Sequence, residues 1–467
     1  MKTSFYIKQQ FSQCQWLILL FGFLLVGCED FLEQETPLNQ IEQQNVFNTE
    51  ATATAAVTTM YGNLRDQGFL SGGLSGNGFV FGLYADELDY HFYPGFAIES
   101  FYLHQVLPTN TALTEIWNPA YKVIYSANAV LNGLENAPAL SLDIKRQLKG
   151  EALFVRAFCH FHLVNSFGAI PYIKTTDYPT NTSVSRMPIQ EVYDNIIADL
   201  LEASNLLGPE YAGSERVRPN NFVVSALLAR VYLYQGDWSN AERESSRLIS
   251  NTALFTLDSD INTVFLKDSP ATIWQFKPKY EGDNTVEGSI YIITDGPPEN
   301  VALNPAMIDA MEAGDLRREN WIGEVSDGSQ TWYFPNKYKE KTNTGTSLEY
   351  SKIFRLAEQY LIRSEARLML GDINGAQEDL NKVRNRAGLG NTSASTIAEM
   401  QDAILAERRF ELFTEFGHRW FDLKRTDMAQ EILSSIKPGW RNTDVLLPIP
   451  DSELVANPKL NPQNPGY

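Results

Sequence analysis

The chain is poor in cysteine, histidine and positive charge, and each scarcity removes a class of function. Its 467 residues include three cysteines, Cys14, Cys28 and Cys159. Five histidines are present. His160 and His162 are two positions apart in a helical pattern, so their side chains diverge by about 200° and cannot hold one metal ion. His91 and His104 have no HExxH or CxxC set around them. The pattern therefore predicts no metal centre and no cofactor. Lys and Arg total 38 against 57 Asp and Glu, a net charge of -19. Binding to a phosphate backbone needs clustered cations, so nucleic acid is not an expected partner. Electrostatic adsorption to anionic lipid is disfavoured for the same reason. After residue 28 no apolar run approaches the ~20 residues needed to cross a bilayer as a helix. Glycine-rich phosphate loops, nucleophile elbows and reactive-cysteine motifs are also missing.

What is present begins at the N-terminus. Lys2 and Lys8 precede an apolar run from Trp16 to Val26, which leads into Leu25-Val26-Gly27-Cys28. The run suits the apolar region of a signal peptide and is too short to span a membrane. A small residue followed by cysteine at the cleavage point predicts a lipoprotein signal over residues 1–27, with Cys28 as the acylated N-terminus. The mature chain is then anchored to a membrane without crossing it. Only Cys159 would remain as a free thiol, so no internal disulfide can form. The polar stretch 29–45 reads as a tether.

Helical periodicity dominates from about residue 48. In 219–250, Ala226, Ala229 and Leu233 recur at helical spacing, Gly236-Asp237 interrupts, and Ala241, Ser245 and Leu248 continue the pattern. Residues 358–386 repeat this design about Gly371-Asp372, which superimposes Ala241 on Ala376 and Leu248 on Val383. Such helical hairpins with small residues at the contact resemble the tetratricopeptide repeat. Further helices are expected at 113–135, 144–167, 189–207 and 396–435, with Cys159 on a buried face of the second. Three stretches read as irregular: 68–112, 251–350 and 436–467. Short β runs are expected inside the second, at Thr272–Phe276 and Ser289–Thr294. The fold class is mainly α, a tetratricopeptide-like helical-hairpin scaffold carrying a loop-rich lobe with short β segments.

Three blocks then add up. The first is Cys28-Glu29-Asp30-Phe31-Leu32-Glu33 after the signal. The second runs from Glu407-Arg408-Arg409-Phe410-Glu411-Leu412 through Glu415-Phe416-Gly417-His418-Arg419-Trp420-Phe421-Asp422-Leu423-Lys424-Arg425. The third is Leu447-Pro448-Ile449-Pro450 with Asn457-Pro458 and Asn461-Pro462-Gln463-Asn464-Pro465-Gly466-Tyr467. In this order they resemble the SusD/RagB family of Bacteroidetes outer-membrane lipoproteins, over essentially the whole of 28–467. The resemblance implies a surface-exposed nutrient-binding lipoprotein on the outer membrane, acting as a lid on a SusC-like TonB-dependent transporter. It implies an oligosaccharide ligand, or a peptide in the RagB branch.

Glu407, Glu411 and Glu415 recur every four residues and share a helix face. Interleaved arginines and large apolar residues mark them as a packed ion-pair network rather than an acid–base pair. No catalytic residue is expected. Binding chemistry is expected from 79–102, where 9 of 24 residues are aromatic and acids are interspersed. Rings stack on the C–H faces of sugars while carboxylates and amides bind hydroxyls. The candidate ligand residues are Asp86, Tyr90, Phe92, Tyr93 and Tyr102, with Tyr280 and Trp332 from the later lobe. Trp321 and Tyr333 are lesser candidates there. Replacement of Cys28 by serine is expected to release the protein from the membrane fraction. A substituted protein that still sedimented as an acylated species would contradict the anchor.

Overall fold

The computed structural model describes residues 43–467, and the signal segment, Cys28 and most of the tether lie outside them. Several helices start where a side chain satisfies a free N–H group. Helix α1 (Glu50–Asp66) is capped by Thr49, whose Oγ1 accepts from the Thr52 amide at 3.2 Å. Helix α2 spans Asn77–Tyr84, and the long helices α3 (Thr111–Glu135) and α4 (Leu142–Phe167) follow. The α3 start is capped by Asn110, which accepts from the Ala112 amide at 2.8 Å. Helix α5 covers Ile189–Leu206.

Two hairpins repeat one piece of turn chemistry. Helices α6 (Asn221–Gln235) and α7 (Trp238–Ile249) meet at Gly236, and α8 (Leu356–Met369) and α9 (Ile373–Arg386) meet near Gly371. Both glycines have positive φ, +70° and +89°, a conformation that suits a residue without Cβ. The following aspartate caps the next helix in each case. Asp237 accepts from the Asn240 amide and Asp372 from the Gly375 amide. Ala241, Leu248, Ala376 and Val383 are all fully buried, in the equivalent positions that the sequence suggested. A bidentate pair joins the hairpins: the Arg230 guanidinium on α6 donates to Glu358 on α8 at 2.6 and 2.8 Å, both groups buried. Helices α10 (Ile397–Leu412), α11 (His418–Arg425) and α12 (Ala429–Ile436) complete the scaffold.

The lobe is built on two small antiparallel sheets. Strands β1 (Leu88–Tyr90), β3 (Val301–Leu303), β5 (Thr331–Pro335) and β4 (Ile322–Ser326) line up in that order. Strand β2 (Thr272–Phe276) pairs with β6 (Ser351–Arg355). A large core lies under the helices; a second one, around Phe79, Leu303, Trp321 and Phe413, lies under the lobe. Phe47–Tyr467 form one compact unit.

Two expectations need correction. Residues 68–112 are not wholly irregular, because α2 lies inside them, with Phe79, Phe81 and Tyr84 buried. The helix is apolar on every side, so it has no amphipathic period to read. Gly78 lets it approach the turn after α10: a Cβ there would sit 2.4 Å from the Thr414 carbonyl oxygen. Ser289–Thr294 is not a strand. A short helix, Val286–Tyr291, occupies its first half, capped by Thr285. The C-terminal segment is held by side chains. The Asn464 amide donates to the carbonyls of Phe167 and Leu447 at 2.8 and 2.7 Å, and the Gln463 side chain bonds both backbone groups of Ile449.

Removing one partner of the buried hairpin pair is expected to strand a charge. Glu358→Ala should therefore cost about 3–5 kcal/mol in chemical denaturation. A loss near zero would show that the Arg230 pair does not hold the hairpins together.

Candidate functional site

The one-step ladder of β1 against β3 explains how two distant segments share a site. Leu88, Asp89 and Tyr90 pair with Leu303, Ala302 and Val301, and the His91 amide donates to the Asn300 carbonyl at 2.8 Å. The chain leaves β1 through 91–96 and reaches β3 through 289–300, so both segments emerge at the same end of the ladder. Between them lies an open cleft of about 970 Å³. Phe92, Tyr93 and Phe96 line one side with His91, and Ile292, Thr294, Asp295, Pro298, Glu299 and Asn300 line the other, with Lys341 at the rim.

The rings are arranged in a row. Tyr102 stacks on Tyr90 at 6.1 Å, Tyr90 meets Phe92 at 5.5 Å, and Phe92 meets Phe96 at 5.5 Å. The buried Phe79 touches Phe92 from below at 6.2 Å and fixes the row to α2. Only the outer rings are open: Tyr93 is 85% exposed and Phe96 is 54% exposed. The loop is held by polar contacts as well. The Tyr90 hydroxyl donates to the Tyr93 carbonyl at 2.9 Å, and the Gly95 amide donates to Glu99 at 2.7 Å. Lys341 donates to the Ile292 carbonyl at 2.8 Å and ties down the opposite side. Exposed ring faces beside carboxylates, an amide and an imidazole suit a polyhydroxylated ligand with apolar C–H faces.

Beneath the start of β1 lies a dense ionic network. Glu411 at the end of α10 is fully buried and accepts from Arg355 at 2.8 Å, Arg386 at 2.6 Å and Arg317 at 3.4 Å. Burial alone would raise its pKa, but these three guanidinium groups hold it well below the usual carboxylate range. Arg317 also engages Asp315 and Glu407, and Glu415 pairs with Arg355 and Lys337. Asp86 accepts from Arg419 at 2.7 and 2.9 Å and from Arg409 at 2.9 Å. Burial pushes the Asp86 pKa up, yet the two arginines leave it below the usual range. Its neighbour Glu87 accepts from the Thr414 amide. Burial first, and then the Asp86 charge, raises Glu87 to about 8.

The seven ligand candidates therefore separate. Phe92 and Tyr93 line the cleft, with Tyr90 and Tyr102 behind them in the ring row; the Lys437 ammonium lies 3.8 Å from the Tyr102 ring centre. Asp86 is corrected: it is buried between two arginines and belongs to the network under β1. Trp332 is corrected too. It is buried in β5, where its ring takes the space a Cβ on Gly296 would need. Tyr280 is exposed but does not line the cleft; Lys279 lies over its ring. Trp321 is fully buried and donates to the Ile261 carbonyl at 3.0 Å, and Tyr333 stacks under Arg318. Sequence reasoning missed Asp295, Glu299 and Asn300. The Gly296-Pro297-Pro298 turn just before a short apolar run was the available signal.

Glu407 and Glu411 on α10 are matched by arginines as the charge alternation suggested, and so is Glu415, but the helix ends at Leu412, so Glu415 lies past its end and does not share its face. The histidines of α4 are structural: the His160 ring bonds the Arg156 carbonyl and the Ile173 amide, and His162 bonds Asn77. Cys159 is fully buried, and burial raises its pKa, so the thiol is inert.

Comparison with known proteins adds independent observations. A family model described as "Starch-binding associating with outer membrane" matches residues 30–233, and one described as "SusD family" matches 317–467. SusD-like protein P2 of Formosa agariphila is 29% identical over 95% of this chain and 97% of its own length. A solved structure described as a laminarin-binding SusD-like protein superimposes with a TM-score of 0.77 at 26% identity, covering 90% of this chain and all of that one. Surface glycan-binding protein A of Bacteroides thetaiotaomicron shares the fold, with a TM-score of 0.75 at 21% identity over 90% of this chain and all of that one.

Glu87 supplies a pH test of the network. Its raised pKa means that it stays protonated in the folded chain up to about 8, whereas the unfolded chain ionises near the ordinary glutamate value. Its stabilising contribution is therefore full at low pH and is lost as pH rises through that window. Glu87→Gln keeps an acceptor for the Thr414 amide and removes the titration. The variant should lose less stability than the parent between about pH 5 and pH 8 in denaturant titrations. Parallel pH profiles would contradict the assignment.

Proposed function

The chain belongs to the SusD/RagB family, whose members are binding proteins associated with the outer membrane, and from that premise we propose that it captures oligosaccharide at the 91–96/289–300 cleft for delivery to a SusC-like TonB-dependent transporter. The observation that carries this reading is the pair of open rings, Tyr93 and Phe96, on a loop fixed to the β1–β3 ladder. The Phe96 ring packs against Phe92, and the Tyr93 backbone is fixed by the Tyr90 hydroxyl, which lowers the cost of ordering the loop on the ligand. The glycan-binding proteins among the similar structures support the carbohydrate class.

The protein acts without cleaving its ligand. The glutamates that share a face of α10 are matched by arginines and lie outside the cleft lining, so they are not a general acid–base pair. The acylated Cys28 holds the protein at the outer membrane with its cleft facing the exterior. Among the described residues no helix is long and apolar enough to cross a membrane, which accords with a lipid anchor. A lid of this kind needs only micromolar to millimolar affinity, about 4–8 kcal/mol, which two or three stacked rings with a few hydrogen bonds can supply.

Tyr93→Ala combined with Phe96→Ala should weaken binding about tenfold, or 1.4 kcal/mol, with little change in melting temperature, because both rings are exposed. Calorimetry with laminari-oligosaccharides as the first probe reads this out. Undiminished affinity in the double variant would remove the cleft from the account, and shortened oligosaccharides after incubation would overturn the non-catalytic reading.

A further inference from the structure

A second groove lies on the helical scaffold, formed by α3, α4, α5 and the segment after α4. Its volume is about 700 Å³, and it shares no lining residue with the aromatic cleft. Its charge is opposite to that of the chain as a whole. Five cations, Lys145, Arg146, Lys149, Arg156 and Lys174, line it against two carboxylates, Glu135 and Glu202. Elsewhere the balance runs the other way, since acids exceed bases by 57 to 38 overall.

The local ion pairs leave this excess in place. Lys149 pairs with Glu202 at 2.7 Å, and Arg156 is held by Asp199 through two contacts of 2.7 Å. Lys145, Arg146 and Lys174 have no carboxylate within ion-pair distance among the described residues; Arg146 donates to the Asn205 carbonyl at 3.1 Å, and Lys174 lies 5.5 Å from the Tyr172 ring centre, contacts that leave both charges uncompensated. Glu135 alone stands against these three. The Arg156 contacts also make the floor rigid: its third nitrogen donates to Asn128 at 2.8 Å, and Asn128 donates to the Ile173 carbonyl at 3.0 Å. Leu142, 71% exposed, and the half-buried Leu131 and Leu206 give the walls apolar surface between the cations. A groove that sets leucines beside ammonium and guanidinium groups lacking a carboxylate partner matches a chain of pyranose rings bearing negative substituents. The leucines meet the C–H faces, and the cations meet the charges.

We propose that this groove is a second saccharide site that takes an anionic glycan strand, one bearing carboxylate or sulfate groups. It selects ligands that the acidic remainder of the surface repels, and it does so independently of the cleft.

Affinity electrophoresis of the full chain at low ionic strength tests the proposal, with polygalacturonate, dextran sulfate, neutral dextran and poly-L-glutamate in separate gels. The parent should be retarded by polygalacturonate, by dextran sulfate or by both, which also tells the carboxylate from the sulfate ligand, and not by neutral dextran. Lys145→Glu with Lys174→Glu should weaken that retardation about tenfold and leave the melting temperature unchanged. If charge reversal prevents folding, Lys145→Ala with Lys174→Ala provides the same comparison. Tyr93→Ala with Phe96→Ala should leave the retardation intact. Absence of retardation, equal retardation of parent and lysine variants, or equal retardation by neutral dextran would overturn the proposal. Poly-L-glutamate retarding the parent as strongly as the polysaccharides would assign the groove to an acidic peptide and overturn it as well.

Discussion

One buried carboxylate constrains much of this structure. Glu411 is fully buried, so its charge is tolerable only with cations placed around it. Those cations come from different elements: Arg317 from the lobe, Arg355 from the end of β6, and Arg386 from α9. A single ionised group therefore ties the second hairpin, the β2–β6 sheet, the short helix Leu316–Asn320 before β4 and α10 into one arrangement. Its worth lies in specifying that arrangement, since a buried ion pair adds little net stability compared with apolar packing.

The same helix, the turn after it and the start of α11 position the cleft. Arg409 and Arg419 close on Asp86, and the Thr414 amide closes on Glu87, so the chain entering β1 is fixed from below. Strand β1 then sets β3 by register, and the two loops that leave the ladder together form the cleft. A cleft on short irregular segments can thus be stiff. Its rings are backed by Phe79 on α2, not held by the loop alone.

The scaffold was legible from the chain because helical periodicity is a local signal. The Gly-Asp turns at 236–237 and 371–372 announced both hairpins, and the four paired positions Ala241, Ala376, Leu248 and Val383 are buried together. Helix α2 was not legible, because a segment buried on every face has no period. The cleft was legible by half. Aromatic enrichment pointed to Tyr90, Phe92 and Tyr93, yet it could not separate open rings from buried ones such as Phe101. Asp86 illustrates the limit. An acid among aromatics reads the same whether it faces a sugar or an arginine, and its partner Arg419 lies 333 positions away. Long-range ion pairing leaves no local mark on the sequence. The residues 295–300 were hidden for a related reason, since β-ladder pairing brings them to the cleft.

The most direct test is a crystal structure of the protein with a bound laminari-oligosaccharide. The account predicts sugar rings lying against Tyr93 and Phe96, hydroxyls bonded to groups of the 295–300 segment, and an unchanged β1–β3 register. Saccharide bound elsewhere with the cleft empty, or a ladder rebuilt around the ligand, would contradict it.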